Sequence, residues 1–363
     1  MPSDRIHNFN AGPGVLPEPV LRKAQQDIWN IGGSGVGIME HSHRGKLFER
    51  ILADADAEAR RLAGIPDNYR ILFIQGGASQ QFAMVPMNLL GAGRTADYLV
   101  TGVWSEKALD EARKFGTVHT AVTGQASGYS AIPPTSEIRY STDPVYVHLT
   151  TNNTIYGTQW ASEPPVPGGA TLVADASSDL FSRPIDLSRY GLVYAGAQKN
   201  LGPSGIVMVI IRDDLAEWAP GTLPTMLQYR TYVNANSLYN TPPTMAIYLV
   251  GQVLAWIRDT GGLAAMQERN LDKARLLYDF LDGSAIFRGT AAVADRSAMN
   301  VCFRARTEAE EAAFCAEAER SGLVGLKGHR LAGGMRASLY NACPRASVVA
   351  LVDFMKRFEQ ENR

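Results

Sequence analysis

The chain has 363 residues, 45% of them hydrophobic, and carries 35 Lys+Arg against 36 Asp+Glu for a formal net charge of −1. Charges of both signs are interspersed, which argues against nucleic acid or a membrane surface as a partner, and the length suffices for two domains with separate cores. Three cysteines, Cys302, Cys315 and Cys343, are an odd number without metal-ligand spacing, so the expectation is free thiols in a reducing, cytoplasmic compartment and no metal site.

The opening residues, Met1 to Arg5, are polar and lack the apolar core of a signal peptide, and no stretch reaches the length of a membrane span. Export is therefore not expected. The glycine-rich Gly32-Gly33-Ser34-Gly35-Val36-Gly37 follows a helix-like run and lacks dinucleotide-binding spacing, so it reads as a flexible loop near an active site. Strand-like runs at 70–74, 96–100, 117–122, 145–149 and 171–174 alternate with helix-like runs over part of their length. This pattern predicts an α/β fold with a mainly parallel central sheet and helices on both faces. After Pro242-Pro243 the pattern changes to long amphipathic helices at 244–259 and 263–281, separated by Gly261-Gly262. The remainder reads as a smaller α+β domain, with strands at 299–303 and 335–339 and helices at 308–321 and 346–361. A large domain is expected over 18–260 and a small, discontinuous one over 1–17 and 261–363.

Four features of this pattern carry chemistry. Buried strands at 192–195 and 206–211 flank Gly196-Ala197-Gln198-Lys199-Asn200-Leu201-Gly202, a loop of mostly small residues that carries Lys199 inward. Burial lowers the pKa of an amine, as imine formation requires. Asp175 ends the run Thr171-Leu172-Val173-Ala174, at the sheet edge where ligands bind in open α/β folds. Taken singly, Lys199 reads as a lysine capping a turn and Asp175 equally as a structural acid capping the next one; together they match the lysine and acid that pyridoxal phosphate enzymes use. Gln75-Gly76-Gly77-Ala78-Ser79 lies between a strand and a helix expected over 82–90. There Ser79 is read as an N-cap or hydroxyl donor, and Pro86 is expected to kink the helix. The turn suits a phosphate monoester, or is an ordinary tight turn. Trp104, after the strand at 96–100, is either core or a ring that stacks on a flat cofactor.

The chain resembles the phosphoserine aminotransferase family, pyridoxal phosphate enzymes of the fold-type I, class V aminotransferases. The likeness runs through Asn8-Phe9-Asn10-Ala11-Gly12-Pro13, His41-Ser42-His43-Arg44-Gly45-Lys46, Asn153-Thr154-Ile155-Tyr156-Gly157, the Lys199 loop and Tyr239-Asn240-Thr241-Pro242-Pro243. It closes on Lys327-Gly328-His329-Arg330 and Gly333-Gly334-Met335-Arg336. The resemblance implies that Lys199 joins the cofactor aldehyde and then moves the substrate proton, that Asp175 pairs with the pyridinium nitrogen, and that Trp104 stacks on the ring. It also implies that Thr154 and Gln198 hydrogen-bond the cofactor, and that Ala78 and Ser79 contact its phosphate. Asn240 and Thr241 would add phosphate contacts from a neighbouring subunit, making a homodimer with shared active sites.

By the same resemblance Arg336 clamps the substrate α-carboxylate. His43, Arg44, His329 and Arg330 form two His-Arg pairs, solvated surface when taken alone, that bind the distal anion if the fold brings them together. The implied reaction moves an amino group from glutamate to 3-phosphohydroxypyruvate, giving 2-oxoglutarate and phosphoserine in serine biosynthesis. A phosphorylated substrate of vitamin B6 biosynthesis fits the same pocket.

The chain departs from the family pattern where Ser79 stands in place of an arginine found in one variant. It departs again at Gly14, where alanine is common, and at Asn10, where some members have serine. Two other readings remain open at this point. A cysteine desulfurase needs a mobile nucleophilic cysteine, for which only Cys343 is placed, and a cofactor-binding homodimer without turnover needs no proton shuttle.

Overall fold

The computed structural model describes residues 5–362; Met1 to Asp4 and Arg363, at the outer ends of the expected small domain, lie outside the described residues. Seven strands build the central sheet: Tyr69–Gln75 (β1), Thr95–Val100 (β2), Thr117–Thr123 (β3), Pro144–Thr150 (β4), Thr171–Asp175 (β5), Leu192–Gly196 (β6) and Ile206–Arg212 (β7). Their spatial order is β1-β7-β6-β5-β4-β2-β3. β7 runs antiparallel to both of its neighbours, and every other pairing is parallel. As a result β1, β2, β4, β5 and β6 all point their carboxyl ends to one edge, where the connections leaving them meet.

Every residue of β4, β5 and β6 is buried, because both faces of the sheet are covered. Alternate side chains enter two hydrophobic groups. Leu172, Ala174, Val193 and Ala195 face the helices Lys46–Ala63 and Thr244–Asp259, while Val173, Leu192 and Tyr194 face Ala78–Leu89 and Val103–Ala112. The helix expected at 82–90 starts four residues earlier, at Ala78, and Pro86 does not break it. Pro86 lies near its end, so only the last turn is affected. There the Asn88 side chain donates to the Met84 carbonyl (2.8 Å) and the Leu90 N–H closes onto the Pro86 carbonyl (2.9 Å).

The smaller α+β domain has a three-stranded antiparallel sheet, Arg288–Gly289, Asn300–Arg304 and Met335–Ser338, packed against the helices Glu308–Arg320 and Arg345–Glu361. Thr307 starts the first of these with a reciprocal cap, its hydroxyl accepting the Glu310 N–H while the Glu310 carboxylate accepts the Thr307 N–H. The N-terminal segment joins this domain: His7–Asn8 pairs in parallel with Leu323–Val324, and Phe9 is fully buried in its core. The helix Gly262–Gly283 ties the two cores together, with Leu263 and Met266 in the sheet core and Leu277 and Leu281 in the smaller one. The glycine-rich segment is held by its own hydrogen bonds, such as Gly35 N–H to Asn30 Oδ1 (2.8 Å), which gives no support to the expected flexibility. Gly37 is required there by close approach, since a Cβ would lie 1.9 Å from the Ile28 carbonyl oxygen.

Phe314 is fully buried, with its ring centroid 5.0 Å from Phe287, 5.3 Å from Phe354 and 5.4 Å from Phe358. Phe314→Ala is expected to cost about 3–5 kcal/mol, read as a lower urea midpoint by circular dichroism.

Candidate active site

Lys199 lies in the connection from β6 to β7, two strands that neighbour each other in antiparallel sense, so the loop folds tightly over the sheet edge. The Leu201 and Gly202 N–H groups both return to the Ala197 carbonyl, which curls the backbone and turns the lysine toward the β4 and β5 ends. From the other side Gly12 and Gly14 close on it. The Gly14 N–H donates to the Gln198 carbonyl (2.7 Å), and a Cβ at Gly14 would sit 2.8 Å from both the Lys199 carbonyl oxygen and the Tyr340 ring. Alanine would need the loop to shift, which accounts for glycine at this departure from the family pattern.

The Lys199 stem is half-buried, its amine end is enclosed, and the ammonium donates to Thr154 Oγ1 (2.7 Å). Desolvation brings its pKa down to about 8; Asp175 and Asp179 oppose this, and Arg336 adds to it. Burial therefore outweighs the attraction of two carboxylates.

Asp175 ends β5 with 4% exposure. Its Oδ1 accepts from the Ser177 N–H (3.0 Å) and hydroxyl (2.6 Å), while Oδ2 accepts no hydrogen bond from the described residues. Burial raises its pKa and the Lys199 charge lowers it. Thr154 follows β4 in a loop fixed by buried amides: Asn153 donates to Thr101 Oγ1 (3.1 Å) and Thr158 Oγ1 (3.0 Å), and Asn152 donates to Ser178 Oγ (2.8 Å). Thr154 joins two expected site residues, because its carbonyl accepts from Arg336 (3.1 Å) while its hydroxyl accepts from Lys199.

Trp104 is the second residue of the helix after β2, and the Lys199 ammonium lies 5.5 Å from its ring centroid. The indole N–H of Trp104 and the Nε of Arg336 are both buried without a partner. Buried donors left unpaired are costly, which marks a place for a ligand.

Gly76 has φ +117°, and Gly77, not Ser79, is the N-cap of the helix Ala78–Leu89. The expected Ser79 cap is thereby corrected: the helix starts one residue before it, and no side-chain hydrogen bond caps the terminus. The first-turn N–H groups of Ala78 and Ser79 have no intrahelical partner, so they present the positive end of the helix dipole at the sheet edge. Gln198 is folded back over Gly196 and its amide has no partner among the described residues. Thr241 is exposed, and Asn240 donates to Gln75 Oε1 of the same chain (3.2 Å) beside the glycine turn. Together these groups fit a flat pyridine carrying a phosphate and an aldehyde. They provide an amine of low pKa, an acceptor-only carboxylate, an aromatic face and a helix terminus for the phosphate.

No hydrogen bond or ion pair among the described residues joins the two His-Arg pairs within one chain. His329 sits in the loop after Leu326, its backbone carbonyl accepting from the Ala332 (3.0 Å) and Gly333 (2.8 Å) N–H groups. Burial first, then the charges of Arg336, Arg330 and Lys107, hold the His329 imidazole below its usual range. Arg44 is exposed without an ion-pair partner among the described residues, and His43 Nε2 is buried without a hydrogen bond. No interaction among the described residues links them to His329 or Arg330.

Residues that the sequence reading missed include Ser177, which orients Asp175, and Asp179, which accepts from Thr151 and from Gln159 (3.0 Å) and bears on the Lys199 charge. Both belong to Ala174-Asp175-Ala176-Ser177-Ser178-Asp179, where the second acid was the available signal. Cys343 is 3% exposed and burial pushes its thiol up to about 11, so the mobile nucleophile a desulfurase needs is missing. Among the described residues no cluster of three or more His, Cys, Asp or Glu could hold a metal ion, and no helix is long and apolar enough to cross a membrane.

The model of the aminotransferase class-V family matches residues 6–351. The chain is 52% identical over 354 residues to the phosphoserine aminotransferase of Herpetosiphon aurantiacus, covering 97% of this chain and 98% of that relative. The phosphoserine aminotransferase structure from Bacillus circulans subsp. alkalophilus superposes with a TM-score of 0.98 at 50% identity, over 99% of this chain and 100% of that one. The PLP-bound phosphoserine aminotransferase from Trichomonas vaginalis superposes with a TM-score of 0.92 at 38% identity, over 97% and 100%.

In cofactor-free protein, acetic anhydride labelling of Lys199 read by mass spectrometry is expected to rise with a midpoint near pH 8. Asp175→Asn removes an opposing carboxylate and moves that midpoint down; Arg336→Met removes a repelling cation and moves it up.

Proposed function

This chain belongs to the aminotransferase class-V family, and we propose that the residues just described carry out phosphoserine transamination. The amino group of glutamate passes to 3-phosphohydroxypyruvate, leaving 2-oxoglutarate and phosphoserine in a reversible, two-stage exchange that serves serine biosynthesis. The single observation that carries this reading is the Thr154 bridge. One residue accepts a hydrogen bond from a lysine of depressed pKa and another from an arginine, 45 and 182 residues away respectively.

Pyridoxal phosphate, when bound, supplies an electrophilic aldehyde and a ring that accepts electrons. Lys199 is its covalent anchor in this reading, and afterwards the base. With a pKa near 8 the amine accepts the proton leaving the α carbon of glutamate and, in the second stage, returns one to the α carbon of phosphoserine. Arg336 holds the α-carboxylate, its free Nε and remaining N–H groups offering a two-pronged contact, and thereby orients the α C–H toward Lys199. Asp175 keeps one oxygen on Ser177, and the other would pair with the ring nitrogen of the bound cofactor. Trp104 covers a ring face and excludes water from it. Thr154 and Gln198 supply polar contacts around the ring, and the Ala78 and Ser79 N–H groups take the phosphate.

The distal anion of either substrate goes to the cationic side of the site, where His329 and Arg330 lie near Arg336. A homodimer completes this site. Its second copy offers His43 and Arg44, which find no counterpart within their own chain, and Asn240 and Thr241 for the phosphate. The exposed apolar side chains Trp29 (84%) and Met39 (63%) support a covered face close to His43 in sequence. The reading extends to a cytoplasmic enzyme, to a phosphorylated substrate of vitamin B6 biosynthesis in the same pocket, and to a large domain over 18–260 with a small one over 1–17 and 261–363.

Glutamate is expected to bleach the visible absorbance of the holoenzyme and 3-phosphohydroxypyruvate to restore it, while Lys199→Ala shows neither change and loses on the order of 10³-fold or more in turnover. A wild-type spectrum indifferent to glutamate removes the reading. Sedimentation is expected at about twice the 39.4 kDa of one chain, and a monomer with full activity overturns the shared site.

A further inference from the structure

Lys107 is an exposed lysine on the helix Val103–Ala112 that the reaction as described does not use. It lies three residues after Trp104, hence on the same helical face, and its ammonium is 4.9 Å from the Trp104 ring centroid. The Lys199 ammonium is 5.5 Å from the same centroid. Lys107 is therefore an exposed cation whose ammonium lies against the ring of Trp104, the ring that also lies close to the Lys199 ammonium.

Its neighbours make this placement informative. The other basic residues at the end of this helix are paired, Arg113 with Asp110 (2.8 Å) and Lys114 with Glu111 (2.7 Å). The acids near Lys107 are engaged elsewhere: Glu111 with Lys114, and Glu106 as acceptor for the Tyr129 hydroxyl. Lys107 itself has no carboxylate partner among the described residues. It also acts on His329 from a different element and a different domain, adding to the repulsion that Arg330 and Arg336 exert on that imidazole. An exposed ammonium within the field of other cations gains from an anion placed between them.

We propose that Lys107 is a specificity-determining residue, which receives the distal anionic group of the substrate together with His329 and Arg330 and favours a phosphate over a carboxylate. A phosphate monoester carries nearly two charges at neutral pH and a side-chain carboxylate one, so an added ammonium at this point discriminates between them. The inference rests on the transaminase reading above, and the experiment separates the two.

In the holoenzyme, Lys107→Met is expected to raise the KM for 3-phosphohydroxypyruvate about tenfold, the worth of one charge-assisted contact, with kcat within about twofold of wild type. The KM for glutamate rises about threefold at most, and Lys107→Arg restores most of the loss because the charge is kept. Inorganic phosphate, used as a competitive inhibitor against glutamate, weakens about as much as the phosphorylated keto acid. Unchanged KM and phosphate inhibition in Lys107→Met overturn the proposal. So does a fall in kcat that is equal for both substrates and not restored by arginine, which makes Lys107 a support for Trp104 only. If wild type turns over glutamate with an unphosphorylated keto acid but ignores the phosphorylated one, the transaminase reading fails in its substrate. Phosphate inhibition of the variant then still decides whether Lys107 binds the anion.

Discussion

Enclosing one amine at the sheet edge is the constraint on which this structure turns. An ammonium without its water is held only where hydrogen bonds or countercharges replace what is lost, and Lys199 has a single threonine hydroxyl and two carboxylates with an arginine opposing them. The result is an amine that ionises near pH 8, free enough to react and close enough to its protonated form to carry a proton. The reversed strand β7 makes this possible. It turns the β6 connection into a short fold over the edge, where a crossover helix would otherwise lead the chain away.

A second buried lysine shows what distinguishes the first. Lys273, 2% exposed, also has its pKa brought down to about 8 by burial. Its three protons are nonetheless all taken, by the carbonyls of Leu339 (2.8 Å), Tyr340 (2.8 Å) and Cys343 (3.2 Å). It is a clamp: it fixes the chain after the strand that carries Arg336, and Asn341 in that stretch reaches Phe181 and Asn200 beside the Lys199 loop. Two lysines share the desolvation and differ in satisfaction, and only the unsatisfied one has protons to exchange. Buried amides at Asn152, Asn270 and Asn300 extend the same clamp between the domains. A hydrogen-bonded network of this kind sets relative positions more narrowly than apolar contact does.

The periodicity of the sequence carried the sheet and the long helices because their burial is two-sided or strongly amphipathic; the helix Thr244–Asp259 has the expected limits. Lys199 and Asp175 drew notice together, an acid ending one apolar run and a lysine in a small-residue loop after the next, and the structure places the two within each other's electrostatic reach. Ser79 was misread because helix starts depend on backbone angles, and the extended Gly77 takes the cap without a side chain. Pro86, expected to kink its helix, lies inside a helix that continues to Leu89. Lys107 was invisible for a different reason. An exposed lysine on a charged helix has no sequence signature, and its meaning depends on a loop more than 200 residues away. His43 and Arg44 make no hydrogen bond or ion pair with His329 or Arg330 among the described residues, and their part in the site stays with the proposed second copy.

The charge balance of the site follows from these placements. A chain with almost no net charge concentrates Lys107, Lys199, His329, Arg330 and Arg336 around one edge, and burial first, then the charges of its neighbours, hold His329 below its ordinary pKa. Burial and these neighbours therefore disfavour a charged imidazole at this position. An anion entering between these groups cancels the repulsion and favours the protonated ring, more strongly for two negative charges than for one. In the transaminase reading this coupling would favour a doubly charged distal group over a singly charged one.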